Sequence, residues 1–196
     1  MSREEEREFV ERLKAGDEKA FKDLVVQYQN RVFSYLFRML GNPEEAEEVA
    51  QEVFIAAFRF ISGFRGEGSL YTWLLRIASN MYKNRIRYYV RRKRSREFSI
   101  DDSYEKADYR PIGERPDSPE ALVAGKQAEI ALHKGISMLS DDFKEVLVLR
   151  DIELMTYLDI QELTGLAEGT IKSRLHRARS QLARIMREML EGGQLS

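Results

Sequence analysis

Apolar residues recur along most of the chain at the three- and four-residue spacing of a buried helix face. The last such series comprises Ile171, Leu175, Ala178, Leu182 and Ile185. No segment shows the alternation and β-branched runs of a strand, so the pattern predicts an all-α fold. The predicted helices span residues 4–14, 17–40, 43–61 and 70–93 in the N-terminal half, and 119–138, 141–151, 156–164 and 168–190 in the C-terminal half.

The periodic pattern stops at residues 96–117. This stretch is polar, acidic and aperiodic, and three of the four prolines lie between residues 111 and 119. Such a composition is typical of a flexible linker. The chain of 196 residues is therefore predicted to form two helical domains, 1–95 and 118–196, joined by the linker 96–117.

Two of the C-terminal helices are separated by a turn that contains glycine. Thr156 followed by Asp159 resembles a capping box, and Gly165 stands where a helix end needs a left-handed residue. A helix with small polar and basic residues at its start comes next. This order is that of a helix-turn-helix motif, whose second helix enters the major groove of DNA.

The start of the last helix carries candidate base-contacting side chains between its apolar positions. Arginine can bind guanine with two hydrogen bonds, and hydroxyl groups can bind several bases. The alternative is an ordinary solvated face beside a core stripe, but the preceding turn favours DNA. The candidates are Thr170, Lys172, Ser173, Arg174, His176, Arg177 and Arg179.

Charge is segregated along a chain whose formal net charge is only −1. Residues 83–96 and 172–187 are rich in basic residues and contain no acid. Because the total charge is so small, nucleic-acid binding would depend on these local clusters.

Aromatic and basic residues alternate over 71–92. Aromatic rings stack on unpaired bases, and cations follow the phosphate backbone, so this composition suits a single strand. Asn80 and Asn84 are four residues apart and share a helix face that could contact base edges. The alternative is that Trp73 packs in the core, which we favour for that residue. The interleaved residues are Tyr71, Trp73, Tyr82, Tyr88 and Tyr89 with Arg76, Lys83, Arg85, Arg87, Arg91 and Arg92.

The predicted helix at 43–61 has one apolar face and one acidic face. The acidic side is either a solvated exterior or a docking face for a basic protein, since phosphate would be repelled. The polar residues are Glu44, Glu45, Glu47, Glu48, Gln51 and Glu52. The apolar residues are Ala46, Val49, Ala50, Val53, Phe54, Ala57 and Ile61.

The composition argues against several classes of function. With no cysteine and two isolated histidines, the chain offers no disulfide framework, thiol nucleophile or thiolate metal site. It has no phosphate-binding loop of the Walker type. We predict no catalytic residue, no metal and no cofactor. No apolar run approaches the ~20 residues of a membrane span, and the acidic N-terminus is unlike a signal peptide, so we expect a cytoplasmic protein.

Four segments in this order resemble the extracytoplasmic-function sigma factors, the small sigma subunits of bacterial RNA polymerase. They are "GDEKAFKDLVVQY" at 16–28, "AEEVAQEVFIAAF" at 46–58, "FRGEGSLYTWLLRIASN" at 64–80 and "GLAEGTIKSRLHRAR" at 165–179. The resemblance implies a region 2-like helical bundle followed by a region 4-like helix-turn-helix domain. It also implies three partners: polymerase core, promoter DNA and an anti-sigma factor.

The resemblance assigns expected roles to each part. The last helix would bind the promoter's −35 element, and the helix around 46–58 would bind the polymerase clamp through Glu47, Glu48, Gln51, Glu52 and Phe54. The loop 62–69 would hold a flipped base of the −10 element. The expected −10 contacts are Phe64, Arg65, Ser69, Tyr71, Trp73, Arg76, Asn80, Lys83, Asn84 and Arg87.

Three positions depart from the family's pattern. Leu154 replaces a common glycine, Leu158 a common acid and Asn84 a frequent aspartate. The alternative hypothesis is a helix-turn-helix regulator whose N-terminal domain senses a ligand or dimerises. The aromatic and basic stretch at 71–92 discriminates between the two, because such a regulator has no need to bind single strands.

Overall fold

The computed structural model describes residues 3–95, 128 and 130–191, which form two compact units. The first contains α1 (Arg3–Lys14), α2 (Glu18–Leu40), α3 (Pro43–Phe60) and α4 (Leu70–Ser95), with a 3₁₀ turn (Ile61–Gly63) after α3. The second contains α5 (130–137), α6 (Asp141–Leu147), α7 (Tyr157–Thr164) and α8 (Glu168–Glu191), with a π-helical turn (Val148–Ile152) after α6. The predicted all-α fold is confirmed in these ranges, which contain no strand.

Some predictions fall outside the described residues. These are the linker 96–117, the first part of the helix predicted at 119–138, and the side chains of the basic run beyond residue 92. The other predicted helices agree with the structure to within two residues at each end, apart from the one at 141–151.

In the first unit, α2, α3 and α4 pack against one another, and α1 packs on α2. The apolar face predicted for α3 is buried, except that Phe54 is half-buried. Fully buried side chains of this core include Leu13, Leu24, Tyr35, Leu36, Met39, Leu70, Leu74 and Leu75. The bundle therefore fixes both ends of the segment 62–69, which runs from the 3₁₀ turn to α4 and is exposed except for Phe64.

The start of α3 has a side-chain cap, and an acid of its first turn bonds to another helix. Asn42 caps the helix, its side-chain oxygen accepting from the Glu45 amide at 2.9 Å, and Pro43 occupies the first turn. The Glu45 carboxylate accepts a hydrogen bond from the Tyr89 hydroxyl on α4. Glu45 thus joins α3 to α4.

In the second unit, α8 packs against α6 and α7. Its predicted apolar face is confirmed: Ile171, Leu175, Ala178 and Ile185 are buried, and Leu182 is half-buried. The capping box of α7 is also confirmed, because the Asp159 amide donates to the Thr156 hydroxyl while Asp159 accepts from the Thr156 amide. Gly165 ends α7 at φ 72°. Helices α7 and α8 therefore form the predicted helix-turn-helix.

The helix predicted at 141–151 changes geometry part-way. After Leu147 the backbone continues as a π-helical turn, and the Glu153 amide donates to the Val148 carbonyl at 2.9 Å. Leu154 then adopts a φ of 57°, the one positive φ of a non-glycine residue in the described ranges. A left-handed conformation costs an L-residue about 1–2 kcal/mol. The position at which the family often has glycine is therefore a site of backbone strain.

Replacing Leu154 with glycine is expected to raise the free energy of unfolding of the second unit by about 1 kcal/mol. Leu154 is 77% exposed, so little burial is lost. Leu158→Gly is the control, because Leu158 is also exposed, at 65%, but lies inside α7. There glycine should lower the free energy of unfolding by about 1 kcal/mol. Urea unfolding of both variants measures these changes, and a change of the same sign in both would refute backbone strain at Leu154.

Candidate nucleic-acid interface

The exposed side of α8 lies opposite its buried face. At 3.6 residues per turn, Ser173, His176 and Arg177 point away from the side that contains Ile171 and Leu175. All three are exposed, and no described residue forms a hydrogen bond or ion pair with the Arg177 guanidinium. The Arg177 guanidinium is thus a hydrogen-bond donor without a partner among the described residues, at the centre of the predicted DNA-contacting surface.

The other basic candidates on α8 are paired with acids of the same unit. Arg174 forms an ion pair with Asp142 at 3.0 Å, and Lys172 forms one with Glu168 at 2.6 Å. Arg179 binds Asp151 with two hydrogen bonds, of 2.8 and 2.6 Å. The bond to Asp151 raises the pKa of Arg179 above its ordinary value.

These pairs divide the predicted candidates into two groups. Arg174 and Arg179 lie at the two edges of the exposed side, and each forms an ion pair with an acid outside α8. The remaining candidate, Thr170, is half-buried, and its carbonyl accepts a hydrogen bond from the Ser173 hydroxyl at 3.0 Å. The pairing of Arg174 with Asp142 and of Arg179 with Asp151 could not be predicted from the sequence, because these acids are distant along the chain.

In the first unit, the segment 62–69, hereafter the glycine loop, borders a cavity of about 260 Å³. Phe64 is buried, and its ring centroid lies 5.5 Å from that of Trp73. Gly66 has a φ of 74°, a conformation that favours glycine. Arg65 and Ser69 are exposed. The cavity is lined by residues 63–69 with Thr72, Trp73 and Arg76.

The α4 stripe is the set of polar residues that continues from this cavity along one face of α4. Helical periodicity places its members on the same side as Trp73. Asn80, Asn84 and Arg87 are exposed, whereas Arg76 and Lys83 are half-buried. The structure thus brings the polar −10 candidates together. The stripe comprises Arg76, Asn80, Lys83, Asn84 and Arg87.

The predicted aromatic contacts need correction. Tyr71 and Tyr82 are buried on the opposite side of α4, so they pack in the core and offer no open ring to a base. Tyr71 stacks on Tyr28 with centroids 5.8 Å apart, and the Arg31 guanidinium lies 3.5 Å above it. Trp73 is half-buried against Phe64 and lines the cavity. Tyr88 remains exposed.

The end of α4 is attached to the acidic side of α3. The Arg85 guanidinium lies 3.2 Å from Glu48 and 3.5 Å from Glu52. Burial and the hydrogen bond to Glu45 raise the pKa of Tyr89. Two of the residues predicted to dock a partner therefore already form ion pairs, which the sequence did not reveal.

A different surface of α3 remains open. The predicted docking residues Glu47 and Gln51 are exposed, and the same helix face continues through Ile55, which is 53% exposed, and Phe58, which is 57% exposed. We call these four residues the α3 stripe. Ile55 and Phe58 were missed in the sequence, although both are apolar residues outside the predicted core face.

Sequence comparison places both units in known families. The family Sigma-70 region 2 matches residues 24–97, and the family Sigma-70, region 4 matches residues 128–182. The chain is 33% identical over 191 residues to the RNA polymerase sigma-H factor of Pseudomonas aeruginosa, covering 97% of this chain and 98% of that protein. It is 32% identical to the ECF RNA polymerase sigma factor SigW of Bacillus subtilis, covering 92% and 96%.

The chain belongs to the extracytoplasmic-function sigma factors. It is therefore an alternative sigma factor, a transcription initiation factor. The alternative of a regulator with an N-terminal sensor domain is set aside, because region 2 accounts for α3, α4 and most of α2. Helix α1 lies before the matched residues.

Solved structures share the fold of this sigma factor. The sigma factor RpoE of Bartonella quintana, in complex with the anti-sigma factor NepR, gives a TM-score of 0.66 at 23% identity over 86% of this chain and 98% of that one. CnrH, in complex with the cytosolic domain of CnrY, gives 0.61 at 18% identity over 92% and 96%. Among residues 3–95 and 130–191, no helix is long and apolar enough to cross a membrane.

Proposed function

We propose that this sigma factor binds RNA polymerase core through the α3 stripe and directs it to promoters by two DNA contacts. Helix α8 enters the major groove of the −35 element with Arg177, Ser173 and His176 at its centre. The glycine loop and the α4 stripe hold one strand of the melted −10 element. The observation that supports this proposal most is that the cavity beside the glycine loop is continuous with the α4 stripe. A flipped base would bind in the cavity, and the backbone of the same strand would bind the adjacent stripe.

The energetics of strand capture suit a factor that acts by binding alone. Unstacking a base costs a few kcal/mol, and a cavity that fits only certain bases recovers that cost selectively. The residues assigned here bind and position DNA, and RNA synthesis is left to the polymerase. We accordingly propose that the chain has no catalytic activity of its own and needs no cofactor.

The two DNA contacts and the polymerase contact are divided between the two domains. We place the −10 and polymerase functions in residues 1–95, the linker at 96–117 and the −35 function in residues 118–196. The RpoE structure is of a complex with an anti-sigma factor, which supports an anti-sigma partner here. Because the polymerase of bacteria acts in the cytoplasm, we assign the factor to that compartment.

Run-off transcription tests the function directly. The full chain is mixed with bacterial core polymerase and a library of genomic fragments, and the 5′ ends of the transcripts are sequenced. We expect start sites that share one −35 and one −10 sequence and that are absent without the factor. Transcription equal to that of core alone would refute the proposal.

Promoter affinity of the full chain is expected to fall steeply with salt, because bound cations release counterions from phosphate. With about four phosphate contacts, affinity should drop roughly 100-fold between about 50 and about 200 mM salt. Arg87→Ala should reduce the slope of log affinity against log salt by about 1. Lys22→Ala is the matched control, because Lys22 is an exposed cation on α2 and belongs to neither proposed DNA-binding surface. A flat salt response would contradict the phosphate contacts assigned to α4.

A further inference from the structure

Helix α1 contacts the point at which the glycine loop ends. The Glu6 carboxylate accepts a hydrogen bond from the Leu70 amide at 2.7 Å. Leu70 is the first residue of α4 and is fully buried, and Glu6 is half-buried. The bond therefore joins a helix before the matched region 2 to the segment that borders the cavity.

The bond to Glu6 satisfies a group that the helix itself leaves without a partner. The first amides of a helix have no intrahelical acceptor, and the positive end of the helix dipole favours a carboxylate. Ser69 caps the same turn two residues further on, since its hydroxyl accepts from the Thr72 amide at 3.0 Å. The start of α4 is thus held both from within the loop and from α1.

A stacked pair of tyrosines packs at the first turn of α4, to which Glu6 is hydrogen-bonded. Tyr28 and Tyr71 form the buried stack described above, with Arg31 over the Tyr71 ring. Burial raises the pKa of Tyr28, and the charge of Glu6 raises it further, against an opposing effect of Arg31. Glu6 therefore interacts electrostatically with a tyrosine that packs against the first turn of α4.

The glycine loop has room to change its position without this bond. The loop contains Gly63, Gly66 and Gly68, which restrict the backbone little. A cleft of about 620 Å³ separates it from α1 and is lined by Glu6, Val10 and Lys14 among others. At its start the loop is anchored by Phe64 against Trp73. At its end the loop is held by the hydrogen bond that the Leu70 amide donates to Glu6 of α1.

We propose that Glu6 is a positioning residue for capture of the −10 strand: it fixes the end of the glycine loop and so maintains the shape of the cavity beside Trp73 and Arg76. Glu6 itself contacts no DNA in this arrangement. The proposal rests on the proposed function of the loop and adds α1 to the part of the chain that determines strand binding.

Three substitutions at one position separate the hydrogen bond from charge and from folding. Glu6→Gln keeps an oxygen at the same reach, Glu6→Asp keeps the charge on a shorter side chain, and Glu6→Ala removes both. Glu8→Ala is the control, since Glu8 is an exposed acid on the same helix. The probes are a fluorescein-labelled single strand with the −10 sequence found by run-off transcription, and a −35 duplex.

We expect Glu6→Ala and Glu6→Asp in the full chain to bind the single strand about ten-fold or more weakly, because neither side chain can accept the hydrogen bond from the Leu70 amide. Glu6→Gln and Glu8→Ala should bind it like the unaltered chain, and every variant should bind the −35 duplex equally. Hydrogen exchange of the Leu70 amide should accelerate in the alanine and aspartate variants alone.

The outcomes separate this proposal from the proposed function. If the unaltered chain binds the strand and Glu6→Asp binds it equally well, the positioning role is wrong and the function stands. If Glu6→Gln loses as much affinity as Glu6→Asp, an uncharged acceptor at the same reach does not preserve binding, so the hydrogen bond alone does not position the loop, and the proposal is also wrong. If Glu6→Ala fails to fold, the comparison of aspartate with glutamine still decides. Failure of the unaltered chain to bind the strand would refute the loop's function itself.

Discussion

Replacing Arg177 with alanine is expected to weaken binding of the full chain to its −35 duplex by about 1–3 kcal/mol, or roughly 5- to 150-fold. The reason is that Arg177 is the basic residue at the centre of the exposed side of α8 for which no described residue supplies an acid. An arginine that binds guanine with two hydrogen bonds also discriminates between bases. The variant should therefore lose specificity at one base pair, measured by binding to duplexes substituted at each position.

Arg179→Ala is the matched control for this experiment. Arg179 lies on the same helix and is also exposed, but Asp151 already binds it with two hydrogen bonds. A phosphate would have to compete with that carboxylate, so the alanine variant should lose less affinity than Arg177→Ala. Arg174→Ala should behave like Arg179→Ala, because Asp142 holds Arg174. If Arg179→Ala loses more affinity than Arg177→Ala, the paired arginine rather than the unpaired one is the main contact.

Helix positions could be predicted from the sequence because their signals are local. Asn42 with Pro43 begins α3, Thr156 with Asp159 begins α7, and Gly165 ends it, as the residue types require. Each signal depends on a side chain and backbone groups within a few residues. The π-helical turn after α6 could not be predicted in this way. It accompanies the strained Leu154, which is exposed and lies between two backbone hydrogen bonds, from the Glu153 amide to the Val148 carbonyl and from the Met155 amide to the Leu149 carbonyl.

The burial of two α4 tyrosines could have been predicted from helical periodicity, although composition suggested a role in DNA binding. Composition alone assigned Tyr71 and Tyr82 to DNA, but helical periodicity places both opposite Asn80 and Asn84. Their burial is therefore a consequence of a signal that the sequence contained. The ion pairs of Arg85 and Arg179 are different, because their partners are distant in sequence and only the fold brings them together.

The pairs between α3 and α4 change how polymerase docking should be tested. Reversing the charges of Glu48 and Glu52 would remove the partners of Arg85 as well as any contact with polymerase. A loss of binding in that variant could come from movement of α4. The α3 stripe gives a cleaner test, because Glu47 and Gln51 are exposed and form no ion pair or hydrogen bond with a described residue.

The double substitution Glu47→Lys with Gln51→Lys is expected to weaken binding to polymerase core roughly 100-fold or more, because like charges across an interface cost several kcal/mol. Ile55 and Phe58 extend the same surface toward the end of α3 and add exposed apolar area that a partner would bury. Affinity for the −35 duplex should not change, since the substitutions lie in the first unit. Fluorescence anisotropy of labelled factor against core polymerase measures the loss.

The control for this variant makes the same two chemical changes elsewhere on the first unit, as Glu8→Lys with Gln29→Lys, both of which are exposed. Both doubles raise the net charge equally, so a general electrostatic effect on polymerase would weaken them to the same degree. Only a surface that meets the polymerase directly should distinguish them. Equal affinities of the two doubles would therefore remove the α3 stripe from the docking surface, whereas a selective loss would assign it the position next to a basic surface of the polymerase.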